Sequence, residues 1–195
     1  MPDPLPYITY TFVMSITPGP NNVMLTASGA NFGLRRTVPH LLGIVSGFVV
    51  QLLAACAGLS ALFARWPALQ SALAWVGAAY LVYLGWRMLR AAGGAAREAR
   101  RPVTFLEAAA FQFLNPKAWV MTVTAATLFL PQQLPWLARG AYMAGIAEVI
   151  GLPCMMVWAL FGSSLRGLLE APRGRQVFNA AMALALATTA VMMVR

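Results

Sequence analysis

The chain has 195 residues, 60% of them apolar and 10% charged, with a mean hydropathy of +0.69 and a formal net charge of +9. Soluble domains carry roughly 45–50% apolar and about 25% charged residues, so 14 basic and 5 acidic side chains cannot coat a water-soluble globule; soluble-enzyme and disordered readings are excluded. At about 20 residues per crossing of a roughly 30 Å hydrocarbon core, six helices fit and eight do not, and the expected fold is an all-α polytopic membrane protein.

The first apolar run extends from Leu5 to Ala30 and the second from Pro39 to Phe63, ended by Arg65-Trp66-Pro67. The third covers Leu69 to Leu89. After a stretch rich in Ala, Gly and Arg (Arg90 to Pro102), the fourth runs from Glu107 to Leu130, the fifth from Leu137 to Leu165 and the sixth from Gln176 to Val194. Backbone in lipid must satisfy its own hydrogen bonds, so each run is expected to be helical. No Lys or Arg precedes the first run and no small-residue cleavage pattern follows it, so a cleaved signal peptide is not expected.

Ten arginines fall in the connections after the first, third and fifth runs, against three (Arg65, Arg139 and Arg195) on the other side. Basic residues near span ends stay cytoplasmic. Both termini are therefore expected to be periplasmic, with the Arg90–Glu107 loop cytoplasmic. The scattered basic residues fit a membrane surface better than nucleic acid. Trp66, Trp136 and Tyr7 fall at expected outer interfaces, where aromatic belts form.

Split at that loop, the spans form residues 1–100 and 101–195, two three-helix repeats. An odd number of spans makes the second repeat enter the membrane inverted, an arrangement that places binding sites at the repeat interface. Pro18 and Pro116 are 98 residues apart, as are Gly47 and Gly145, while Gln51 and Glu148 differ by 97.

The first span is interrupted by Thr17-Pro18-Gly19-Pro20-Asn21-Asn22. Two prolines remove two backbone donors, which lipid does not tolerate unless protein or cavity water satisfies the freed carbonyls. The helix restarting at Pro20 points a positive dipole end into the membrane, which suits a carboxylate; a kink that only shapes packing is the bland alternative. Span four carries the counterpart Asn115-Pro116-Lys117. A lysine near mid-bilayer costs about 3 kcal/mol, so Lys117 needs a counter-charge, a wet cavity or an anionic ligand, unless it snorkels to the interface. Glu148 is a carboxylate deep inside a span; it could neutralise Lys117, hold a substrate ammonium or carry a coupling proton. Glu107 reads as a helix N-terminal partner, and Gln51 and Gln112 as cavity lining or interhelical hydrogen bonds. Cys56 and Cys154 lack Cys-x-x-Cys spacing and read as packing residues. No metal cluster, nucleotide loop or catalytic triad is present in the sequence, so neither a cofactor nor enzymatic chemistry is expected.

Thr-Pro-Gly-Pro-Asn in span one, Asn-Pro-Lys-Ala in span four and Gly77-Ala78-Ala79-Tyr80-Leu81-Val82-Tyr83-Leu84-Gly85-Trp86 in span three resemble the LysE/RhtB family of amino-acid exporters over essentially the whole chain. The resemblance implies a bacterial inner-membrane carrier moving amino acids or small derivatives outward in exchange for protons. Pro18, Gly19, Pro20, Asn21, Asn115, Pro116 and Lys117 match its motifs; Glu148 matches none, and its coupling role is inferred from position alone. The expected substrate site is Thr17 to Asn22 with Asn115, Pro116 and Lys117. Competing readings are a thiol–disulfide relay through Cys56 and Cys154, also 98 residues apart, and a scaffold subunit without transport. Gly43-x-x-x-Gly47 hints at close helix contact and leaves a homodimer open.

Overall fold

The computed structural model describes residues 3–59, 65–92 and 101–194, and these are helical almost throughout, with no strand among them. The order is α1 (Leu5–Ile16), α2 (Pro20–Phe32), α3 (Leu34–Ala54), α4 (Pro67–Ala92), α5 (Phe105–Leu114), α6 (Pro116–Thr124), α7 (Trp136–Ser164) and α8 (Pro172–Val194). Wide π-type turns, Ala55–Leu59 and Ala125–Phe129, extend α3 and α6. A tight turn at Leu165–Leu169 links α7 to α8.

Four helices, α3 with its extension, α4, α7 and α8, are long and apolar enough to cross a membrane, while α1 and α5 are shorter apolar helices. Large apolar side chains stand exposed along the long helices, as with Val149 at 72% and Met192 at 72%, which suits contact with lipid. The first and fourth apolar runs are each cut in two at the expected prolines, giving α1/α2 and α5/α6.

Boundaries differ most at α3, which begins at Leu34, five residues ahead of Pro39. Gly33, with φ +77°, makes the sharp break that lets α3 start before its two arginines. Tyr7 departs from expectation: it is buried at 4% and donates its hydroxyl to the Met143 carbonyl (3.1 Å), so it packs inside rather than lying in an interfacial belt. Trp66 is exposed. Residues 60–64 at the end of the second run, Arg97, Arg100 and Arg195, and the side chain of Trp136 lie outside the described residues.

The helices pair in a definite pattern. α1 and α2 pack along α7, α5 and α6 along α3, and α4 along α8. Glycines bring the first two pairs to backbone contact: a Cβ on Gly29 or Gly162 would strike the carbonyl of Ala159 or Thr26, and one on Gly43 that of Phe105. The Gly43-x-x-x-Gly47 face is thus filled by α5 of the same chain. One apolar cluster gathers around Leu25, Ile44, Leu81 and Phe111, another around Tyr7, Leu52 and Met143.

Candidate functional site

The end of α1 answers the question of where freed carbonyls go when two prolines stop a helix inside apolar surroundings. Val13 O accepts from Thr17 N (3.2 Å) and Met14 O from Thr17 Oγ1 (3.1 Å). Asn22 Nδ2 donates to Ser15 O (2.9 Å) and Thr17 O (2.8 Å). Trp158 Nε1, reaching from α7, donates to Ile16 O (3.1 Å). Lys117 Nζ closes the set, donating to Thr17 O (2.9 Å), Thr17 Oγ1 (2.9 Å) and Pro18 O (3.2 Å). Every carbonyl from Val13 to Pro18 has a donor, as buried backbone requires.

The second interruption is closed differently. Asn115 Oδ1 accepts from Lys117 N (3.1 Å) and caps α6. Trp119 Nε1 donates to Phe113 O (2.9 Å), and Gln51 Nε2 to Gln112 O (3.0 Å). Gln112 and Asn21 then form a reciprocal amide pair across the two breaks (2.8 and 3.2 Å). Gln51 and Gln112 are interhelical hydrogen-bonding residues, and Glu107 caps α5 in a reciprocal box with Thr104.

A cavity of about 60 Å³ lies between the breaks, lined by Gly19, Asn21, Asn22, Asn115, Lys117 and Glu148 among others. Its volume is several times the roughly 10–15 Å³ that holds one water. Thr17 and Pro18 sit just behind it, as the acceptors of Lys117. Lys117 and Glu148 share the cavity without pairing; among the described residues the ion pair present is Arg101–Glu107, at 2.6 Å. Glu148 Oε2 is buried with no hydrogen-bond partner. Glu148 is therefore not the counter-ion of Lys117.

Asn22 and Lys117 hold the freed carbonyls at the end of α1, and the Asn21 and Asn22 side chains, which line the cavity, also donate to Gln112 and to Ser15 O and Thr17 O. The positive end of α2 is left open, since no side chain caps its N-terminus. Gly19, extended at φ −177°, makes room for Lys117: a Cβ there would lie 2.8 Å from Lys117 Cδ. Thr11, Ser15 and Gly151 also line the cavity, and Trp158 caps α1. The sequence signal for Trp158 was a tryptophan mid-span whose N–H needs an acceptor. Cys56 and Cys154 are both free.

The family described as LysE type translocator matches residues 12–195. The cysteine/O-acetylserine efflux protein of Escherichia coli (strain K12) is 35% identical over 187 residues, spanning 94% of this chain and 93% of its own length. The relative of the same description from Shigella sonnei (strain Ss046) matches equally. No solved structure matches. A helix pair broken at Thr-Pro-Gly-Pro-Asn, a second broken at Asn-Pro-Lys, and a match across nearly the whole sequence lead to one conclusion: the chain belongs to the LysE family, and it is a multi-pass membrane transporter rather than an enzyme.

Proposed function

We propose that the chain exports small amino acids or their derivatives, of the kind named for its relatives (cysteine and O-acetylserine), across the bacterial inner membrane by proton antiport. The observation that carries this reading is a cation and a carboxylate on different helices, Lys117 on α6 and Glu148 on α7, lining one cavity without neutralising each other. That arrangement complements a zwitterion. The substrate carboxylate sits at the uncapped end of α2 beside Lys117, and the ammonium meets Glu148. Protonation of Glu148 from the outside releases the ammonium, and the proton returns inward on the emptied carrier.

We read α1/α2 and α5/α6 as one interrupted crossing each, which makes six crossings in two inverted repeats, residues 1–100 and 101–195. The packing supports this: α1/α2 lie on α7 as α5/α6 lie on α3. Gly19 and Lys117 touch, as do Gly85 and Ala183, and each pair is 98 residues apart (117 − 19 and 183 − 85). On the arginine bias both termini are periplasmic.

The test is efflux of labelled cysteine from proteoliposomes holding the purified full chain, with and without an imposed pH gradient. Gradient-driven efflux is expected, and Glu148→Gln is expected to keep substrate exchange while losing its pH dependence. Unchanged coupling in that variant removes Glu148 from the mechanism. Absence of efflux by the folded chain refutes the carrier reading.

A further inference from the structure

A second and larger cavity, about 140 Å³, opens between α2, α4 and α8, away from the broken-helix site. Its floor is apolar, built from Met24, Leu84 and Leu186, and its rim carries Arg87, Arg101 and Arg175. No carboxylate lines it among the described residues. Arg101 is neutralised by Glu107 through two hydrogen bonds (2.9 and 2.6 Å). Arg87 and Arg175 have no acidic partner among the described residues; Arg87 reaches only the Arg101 carbonyl, at 3.5 Å, and the Tyr83 ring, 5.7 Å from its centroid. Arg175 Nε is buried with nothing to donate to. Deeper in, Asn31 donates to Asn179 Oδ1 (3.2 Å), and Ser28 pairs with His40 (2.9 Å).

Two guanidinium groups without counter-charge among the described residues, beside an apolar floor, are costly unless an anion completes them. The central site does not account for them, because none of its groups reaches this cavity. A small zwitterion also fits poorly, since no carboxylate among the described residues lines the cavity to meet its ammonium. A phosphate group fits: its oxygens suit the forked donors of arginine, and a phosphate carrying an apolar body also covers the floor. On the orientation argued above, the rim lies at the cytoplasmic headgroup level, where basic pockets between helices take lipid headgroups.

We propose that Arg87 and Arg175 form a binding site for a phosphate ester, met in the membrane by the headgroup of an anionic phospholipid. The phosphate bridges the two guanidinium groups and satisfies Arg175 Nε, while the lipid's apolar body rests against Met88 and Phe32. Occupancy ties α4 to α8 at their basic ends and closes the gap between them and α2.

The test uses the full chain in detergent, with native mass spectrometry of bound short-chain phosphatidylglycerol, phosphatidylcholine and inorganic phosphate. Phosphatidylglycerol is expected to be retained over phosphatidylcholine, with affinity falling roughly fivefold in each of Arg87→Gln and Arg175→Gln and largely restored by lysine at both positions. Displacement by inorganic phosphate with the same arginine dependence, without preference for the lipid, keeps the site and assigns it to a soluble phosphate. Equal binding of the two lipids together with no phosphate binding overturns the proposal, as does retention unaffected by either glutamine. Should a glutamine variant not fold, the lysine variants carry the test: loss of binding in a folded lysine pair refutes a site that depends on charge.

Discussion

Gly19→Ala tests the central arrangement more sharply than removal of any charged group. Gly19 is extended, a conformation alanine adopts freely, so the backbone itself does not resist the change. Its new Cβ would stand 2.8 Å from Lys117 Cδ and 3.1 Å from Lys117 Nζ, and the flexible lysine has to swing away. Lys117 holds three hydrogen bonds there, two at 2.9 Å and one at 3.2 Å. Hydrogen bonds to charged groups contribute about 1.5–3 kcal/mol each, and loss of one outweighs the roughly 0.4–1 kcal/mol gained by stiffening the unfolded chain. In a Lys117→Ala background the clash vanishes and only the gain remains. A double-mutant cycle on unfolding midpoints in detergent should therefore give a coupling of about 1.5–3 kcal/mol between positions 19 and 117. Additive behaviour of the two substitutions would refute the claim that Lys117 occupies the space the glycine leaves.

Three other outcomes follow from the same geometry. Lys117→Met should insert and fold, because removal of a buried ammonium recovers about 3 kcal/mol while the one carbonyl that loses its donor, Pro18 O, costs about 1–3 kcal/mol, Thr17 O keeping its bond from Asn22; size-exclusion profiles should match and liposome efflux should be lost. Gly162→Ala should destabilise by about 1–3 kcal/mol, because its Cβ strikes the Thr26 carbonyl, whereas Gly145→Ala, whose Cβ meets nothing, should be neutral or slightly stabilising; thermal unfolding of the pair decides it. Serine at both Cys56 and Cys154, free in the structure, should leave efflux intact, and loss of efflux in the folded double variant would reopen the thiol relay.

The long helices were legible because a membrane helix needs only length and apolarity, and the two interruptions because proline removes a donor wherever it sits. The start of α3 was not: Arg35 and Arg36 read as loop by charge, yet they occupy the first turn of a helix launched by the positive φ of Gly33. Pro39, read as a start, lies inside that helix. Partners of the site residues were the least legible part. The sequence asks of Lys117 a counter-charge, a wet cavity, an anionic ligand or a path to the interface; it lines a cavity, but the acceptors it holds are two backbone carbonyls and a hydroxyl, and carbonyls have no sequence signature. The same holds for Asn21 and Asn22, which line the cavity as site residues would and whose amides also bond Gln112, Ser15 O and Thr17 O within the fold.

The hydrogen bonds at the two breaks differ in which helix end they close. The two interruptions begin with the same chemistry, a proline preceded by a polar residue, and end with opposite poles. At α6 the Asn115 side chain occupies the helix N-terminus, so that pole is closed. At α2 no side chain does so, and the pole stays open to the cavity. On the proposed repeat, Gly19 and Lys117 are equivalent positions, and the glycine of one half is what lets the lysine of the other reach across to the α1 carbonyls. A strictly symmetric pair of lysines would put two ammonium groups against each other, and a pair of glycines would leave Pro18 O without its donor. The asymmetry leaves one uncapped helix N-terminus, that of α2, beside the cavity, with Glu148 at another wall, so on the proposed function a zwitterion would have one orientation in which both its charges are met. On the proposed function, a substrate carboxylate arriving at α2 would compete with the Thr17 and Pro18 carbonyls for Lys117. Binding on that reading would loosen the contact that ties α6 to the end of α1, which would couple occupancy to relative movement of the two proposed halves.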